Sequence, residues 1–205
     1  ALRQLDADYI VIDLGAGTAY NTVDFFLLAD SQIIIVIPEP TSIENAYRFL
    51  KNSFYRQILH NSEKFRMKST IKNILRKDNP FNINTPKQLI AYMNQLGGKA
   101  AVFIEEQQQL FMPSIILNQV RSKKEKKIGV AMEKACLKYF NLNVKISGYL
   151  DFDETVRQSV IDREPLAKNS LESVPVRQLS IICEKLLQEE KERTKKNNLL
   201  SQLAL

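Results

Sequence analysis

The residues best suited to chemistry lie in one short stretch. Asp13–Leu14–Gly15–Ala16–Gly17 follows the apolar run Tyr9–Ile12. A carboxylate ending a buried strand adds nothing to packing, but it has a use if a cation lies beyond the strand end. In an open parallel sheet, ligands bind outside the carboxyl ends of the strands. A strand-terminal aspartate there positions Mg²⁺ on a nucleotide phosphate, directly or through water. A glycine four residues later lets a backbone N–H approach a terminal phosphate without a Cβ in the way. The plainer alternatives are a helix N-cap for Asp13 and turn geometry for Gly15 and Gly17.

Little else in the chain offers catalysis. The single histidine, His60, lies in a polar helical stretch and reads as a solvated surface residue. Cys136 and Cys183 are too few and too far apart for a disulfide framework or a zinc site, which suits a reducing compartment. No apolar run approaches the roughly 20 residues that span a bilayer, and no signal peptide is visible. These features lead us to expect a cytoplasmic protein. At 205 residues the chain suits one domain with one core.

The net charge of +6 is uneven. Arg121–Lys127 and Lys191–Lys196 are basic runs that can attract phosphate or anionic lipid, or can be a solvated loop and a solvated helix face.

Four segments read as strands buried on both faces: Tyr9–Ile12, Ile33–Ile37, Ser114–Asn118 and Val144–Tyr149. Unbroken β-branched runs of this kind fit a parallel sheet covered by helices. Thr41 and Glu44 match a capping box, predicting a helix after Pro40 that includes Ala46, Phe49 and Leu50. A helix is expected over about Ile128–Phe140, and a last one from about Pro175 that buries Leu179, Ile182, Cys183 and Leu186. Alternating strands and helices give an α/β layered fold, a parallel sheet flanked by helices.

Residues 53–112 are too long for one crossover. Ile58, Phe65, Ile71, Ile74 and Leu75 suggest helix. Pro86 after Thr85 predicts a helix start and Gly97–Gly98 its stop, and Ala100–Phe111 reads as helix or strand, the polar run in it favouring helix. The reading is a helical insertion packing as a subdomain or lid within a single domain, 1–205.

The order of the segments "DYIVIDLGAG", "FFLLADSQIIIVIPEPTSIENAYRFLK", "IILNQVRS" and "ISGYLDFDETVRQSVIDREPL" resembles the MinD/ParA family of deviant Walker-A ATPases, most of all the FlhG type that regulates flagellar placement and number. "PEPTSIENAY" is the most telling piece. The likeness covers roughly 6–53 and 113–166. It implies a P-loop NTPase-like fold, with ATP or ADP and Mg²⁺ as cofactors. It makes Asp13 the carboxylate that orders Mg²⁺ and its waters, and Gly17 the glycine that senses the γ-phosphate, with Gly15 in the same turn. Asn118 would bond the adenine edge, or else be a strand-end turn residue. Arg121 would flank the base, and residues 148–153, with Leu150 and Asp151, would close over it. The family often has proline where this chain has Asp151.

The family's phosphate-binding loop has no counterpart. Leu96–Ala101, "LGGKAA", lacks Ser or Thr after Lys99 and follows a helix instead of a strand. The expectation is therefore that this chain is the C-terminal part of a longer protein, the alternative being a natural chain lacking the loop, and that it hydrolyses ATP poorly alone. Strand edges and apolar faces should then be open unless another chain fills them. The resemblance further implies an ATP-bound homodimer and a protein partner that stimulates hydrolysis. It also points to peripheral contact with the inner face of the membrane through 191–205, where basic residues precede Leu199, Leu200, Leu203 and Leu205. Two competing readings are a nucleotide-independent scaffold with a degenerate site, and nonspecific DNA contact through Arg121–Lys127.

Overall fold

The computed structural model describes residues 4–76, 78–169 and 172–203, with side chains as far as Lys191. Three strands form a parallel sheet in the order β1 (Ile33–Val36), β2 (Ser114–Val120), β3 (Lys145–Asp151). The helices are α1 (Tyr20–Leu28), α2 (Pro40–Asn61), α3 (Lys68–Ile74), α4 (Pro86–Leu96), α5 (Gly98–Leu110), α6 (Lys123–Ala135, continued by a π-helical turn to Phe140), α7 (Glu154–Asp162), α8 (Leu166–Asn169) and α9 (Val174–Leu203).

Register assigns the faces. Ile34 pairs with Ile115 and Val36 with Leu117, so these four share one face of the pleat. Val36, Ile115 and Leu117 are buried there in one cluster with Leu50, Phe54 and Ile58 of α2, Leu89 and Met93 of α4, and Phe103 and Ile104 of α5. A bulge at Ser147 sits between the pairs Ile115–Ile146 and Ile116–Gly148. It lets Ile146 and Tyr149 both face Gly129 of α6, where an added Cβ would lie 3.2 Å and 2.9 Å from them. Gly148 instead turns to α9, and a Cβ there would collide with the Ile182 side chain.

Helix α9 also closes the outer edge of β3. Lys185 donates to the Ile146 carbonyl (2.9 Å), and the Asp151 N–H donates to Gln178 Oε1 (2.8 Å). Glu133 of α6 accepts from the Ile146 N–H (2.6 Å). Both edge groups of Ile146 are thus satisfied.

Among the described residues no strand pairs with the opposite edge, at β1. Ile33 and Ile35 lie on the second face of the sheet and are 38% and 63% exposed. Their cross-strand partners, Ser114 opposite Ile33 and Ile116 opposite Ile35 and next to Gly148, are buried. Cover from α9 therefore reaches β3 and stops short of β1.

Several expectations need correction. Tyr9–Ile12 forms no strand among the described residues, and Val11 is 92% exposed. A strand needs a neighbour's backbone groups, and β1 offers an edge that this run does not occupy. Strand burial on both faces holds for most of β2 and fails for β1. Helix α2 starts two residues earlier than the Thr41 capping box predicts. Glu39 is its N-cap and Pro40 its first residue, because proline's fixed φ suits that position. Glu44 pairs with Arg48 instead. The helix then runs unbroken through Ser53, so the expected start of the insertion falls inside it.

Much of the rest of 53–112 is helical as read, down to a capping box between Thr85 and Gln88 with Pro86 first, but Phe65 and Leu75 lie in turns between the helices. Its apolar residues enter the same cluster as the strands instead of forming a separate lid. The basic run after Arg121 is not a loop: Ser122 caps α6 and Lys123 opens it. In α9 Ile182 is buried, while Leu179 and Cys183 are exposed.

Candidate functional site

The carboxyl ends of β2 and β3 bring two of the expected regions together. At Asn118 the β2 ladder is interrupted. Gln119 takes a left-handed backbone (φ 57°), and its N–H donates to Asn118 Oδ1 (2.9 Å). This is the strand-end turn role left open from the sequence. The Asn118 amide nitrogen makes no bond among the described residues and stays free to donate. Pairing resumes at Val120–Asp151, and the Phe152 N–H donates to the Val120 carbonyl (2.8 Å).

Helix α6 begins immediately after. Ser122 accepts from the Glu125 N–H, and Glu125 accepts from the Arg121 N–H (2.7 Å). That pair fixes the backbone of Arg121, whose guanidinium lies 3.6 Å above the Phe152 ring. Phe152 is half exposed, so the stack presents a flat, cationic surface to solvent beside Asn118.

Asp151 is held inward. Lys126 lies 2.8 Å from its Oδ1, and Gln178 donates to Oδ2 (2.9 Å). Burial pushes its pKa up, but the hydrogen bonds from Lys126 and Gln178 outweigh that and hold it below the usual carboxylate value. This carboxylate ties the end of β3 to α6 and α9. Leu150, before it, is half buried. Asp153 caps α7 by accepting from the Thr155 N–H (2.9 Å).

Asp13 and Gly17 lie elsewhere along the chain, ahead of α1. Asp13 is exposed and makes no hydrogen bond or ion pair among the described residues. Gly17 has φ 125°, which only glycine adopts without strain, while Gly15 shows no such φ. A Cβ at either glycine would meet nothing within 4 Å. Among the described residues no hydrogen bond or ion pair joins this turn to Asn118 or Arg121.

Thr18 and Tyr20, just beyond, line a hollow of about 350 Å³ with Asn52, Tyr55 and Arg56 of α2. Arg56 forks onto Asp24 of α1 (2.7 and 2.8 Å) and lies 4.9 Å from the Tyr20 ring. The turn is thus braced on α2 through a neutralised pair.

For Mg²⁺ and a nucleotide the fit is uneven. A free amide donor and a guanidinium over an aromatic ring suit a base. The phosphate end has the exposed Asp13 and the Gly17 backbone, and among the described residues no cation pairs with that turn. No group of three or more metal-ligating side chains occurs among the described residues. Gln119, Lys126, Phe152 and Gln178 were not singled out from the sequence. Of these only Phe152 left a signal, an aromatic set between two aspartates.

No family model matches the sequence, and neither does any curated protein.

Proposed function

We propose that this chain is the base-binding part of a MinD/ParA-like ATP switch of the FlhG type, acting in spatial regulation such as flagellar placement or cell division. The observation that carries this reading is the Arg121–Phe152 stack, with Asn118 three residues before Arg121, at the carboxyl ends of adjacent parallel strands. That is where an open α/β sheet places its ligands.

In this reading the Asn118 amide nitrogen donates to the adenine edge, and the Arg121–Phe152 stack flanks the ring. Asp13 would hold Mg²⁺ through water and Gly17 would meet the terminal phosphate. When bound, the metal would neutralise phosphate charge. The open edge of β1 and the exposed Ile33 and Ile35 suit a further strand carrying the phosphate loop, which these residues lack. Because the phosphate end does not fit by itself, no hydrolytic step is derived for this chain. Homodimerisation on ATP and a partner that stimulates hydrolysis belong to the same proposal.

The test is calorimetric titration of adenosine, ADP and ATP into the chain, with Arg121→Ala and Asn118→Ala as variants. Millimolar or tighter binding of all three, weakened in both variants, is expected. No binding of any of them would remove the reading.

The scaffold alternative draws on one observation. Helix α7 buries none of its side chains and exposes Val156, Val160 and Ile161. A partner retained equally with and without nucleotide would favour it. DNA contact through Arg121–Lys127 has three exposed lysines in its favour, Lys123, Lys124 and Lys127. Salt-dependent retention on DNA would support it. Among the described residues no helix is long and apolar enough to cross a membrane. The side chains expected to touch a membrane at 191–205 lie, beyond Lys191, outside the described residues.

A further inference from the structure

The turn after α2 is closed by a Schellman motif: the Met67 N–H donates to the Ser62 carbonyl (2.9 Å) and the Arg66 N–H to the Glu63 carbonyl (3.0 Å). The residue at the left-handed position of this motif is ordinarily glycine. Here it is Arg66, with φ 58°. A bulky residue at that φ is strained.

Arg66 lines an open hollow of about 450 Å³ with Lys68, Ser69, Lys72 and Glu63. Lys68 pairs with Glu63 (3.0 Å). Arg66 and Lys72 have no ion-pair partner among the described residues. The hollow therefore carries three cations against one carboxylate, with two of the cations uncommitted, and Ser69 adds a hydroxyl. No apolar side chain lines it, which argues against an inserted hydrophobic anchor.

We propose that this hollow binds a phosphate-bearing anion through Arg66 and Lys72, assisted by Lys68 and Ser69. Guanidinium and ammonium donors at one concavity form the charge-assisted hydrogen bonds that select phosphate oxygens. The hollow is open to solvent, so it admits an oligophosphate or a phosphorylated headgroup. The proposal is independent of nucleotide binding at the strand ends.

Arg163 provides the matched control. It holds the same left-handed position after α7 (φ 55°), where the Glu164 N–H donates to the Ser159 carbonyl. Arg66→Gly and Arg163→Gly each relieve one strained residue and remove one charge. Inorganic tripolyphosphate is titrated into the chain by calorimetry at low salt, and binding to phosphatidylglycerol vesicles is measured in parallel.

Arg66→Gly and Lys72→Gln are each expected to weaken binding about tenfold, the worth of one charge-assisted bond. Arg163→Gly should leave it unchanged, and Arg66→Gly should melt no lower than the parent chain. Sensitivity to Arg66 with free tripolyphosphate identifies a soluble ligand, and with vesicles alone it identifies a headgroup. The proposal is overturned if neither probe binds, if Arg66→Gly and Lys72→Gln bind as the parent does, or if Arg163→Gly weakens binding as much.

Discussion

The guanidinium of Arg121 lies 3.6 Å above the ring of Phe152, joining the start of α6 to the end of β3. Such a pair at a partly exposed position contributes about 0.5–1 kcal/mol to stability. Phe152→Ala should therefore cost little in urea unfolding. Under the proposed function it should still lower adenosine affinity severalfold, because the surface proposed to flank the base is lost. A variant that loses more than about 3 kcal/mol would show that Phe152 is a core residue instead.

Asp24 and Arg56 couple α1 to α2 with a forked ion pair. The hydrogen bond from Arg56 is the largest cause holding Asp24 below its ordinary pKa. A carboxylate lowered in the folded state stabilises the fold above its unfolded pKa, near 3.9. That contribution is lost as pH falls through the lower folded value. Unfolding free energy measured from pH 6 down to 2 should drop for the parent chain. Asp24→Asn should start lower and drop less. The pair is partly exposed, so the difference at neutral pH should be on the order of 1 kcal/mol. Equal acid sensitivity in both proteins would exclude this pair as a source.

Gly148 has Ile182 where its Cβ would be. Gly148→Ala should destabilise by about 1–3 kcal/mol through overpacking. Adding Ile182→Ala, itself costly, should then cost less than the two single changes summed. Strict additivity would mean that α9 moves aside freely.

Cys136 is buried, and desolvation is the first cause pushing its thiol up to about 12. Cys183 is exposed on α9. An aromatic disulfide reagent at pH 8 should modify Cys183 promptly and Cys136 only at the rate of unfolding. Cys183→Ser should remove the fast phase and leave the slow one. Two fast phases would contradict the packing of the turn after α6.

The residues by themselves determined the three strands, the parallel sense and the helical character of 53–112. Runs such as Ile33–Val36 and Ser114–Leu117 carry no alternation, and Thr85–Pro86 with Gly97–Gly98 punctuates a helix whatever surrounds it. Local chemistry suffices for such signals. It does not suffice for pairing. Tyr9–Ile12 has a strand's composition, yet strand formation depends on a neighbour's backbone, so the same pattern gives an exposed extended segment here. Burial of Cys183 and Leu179 failed for a related reason: α9 covers β3 through Ile182 and reaches no further.

At the candidate site, only the family resemblance pointed to Asn118, Arg121 and Asp151. Only tertiary structure could assign their atoms. Asn118 spends its oxygen on Gln119, Asp151 spends its carboxylate on Lys126 and Gln178, and Arg121 rests on Phe152. Each of these depends on residues brought close by the β2–β3 register and by helices α6 and α9. Spacing along a chain does not encode which groups have already been neutralised by distant partners.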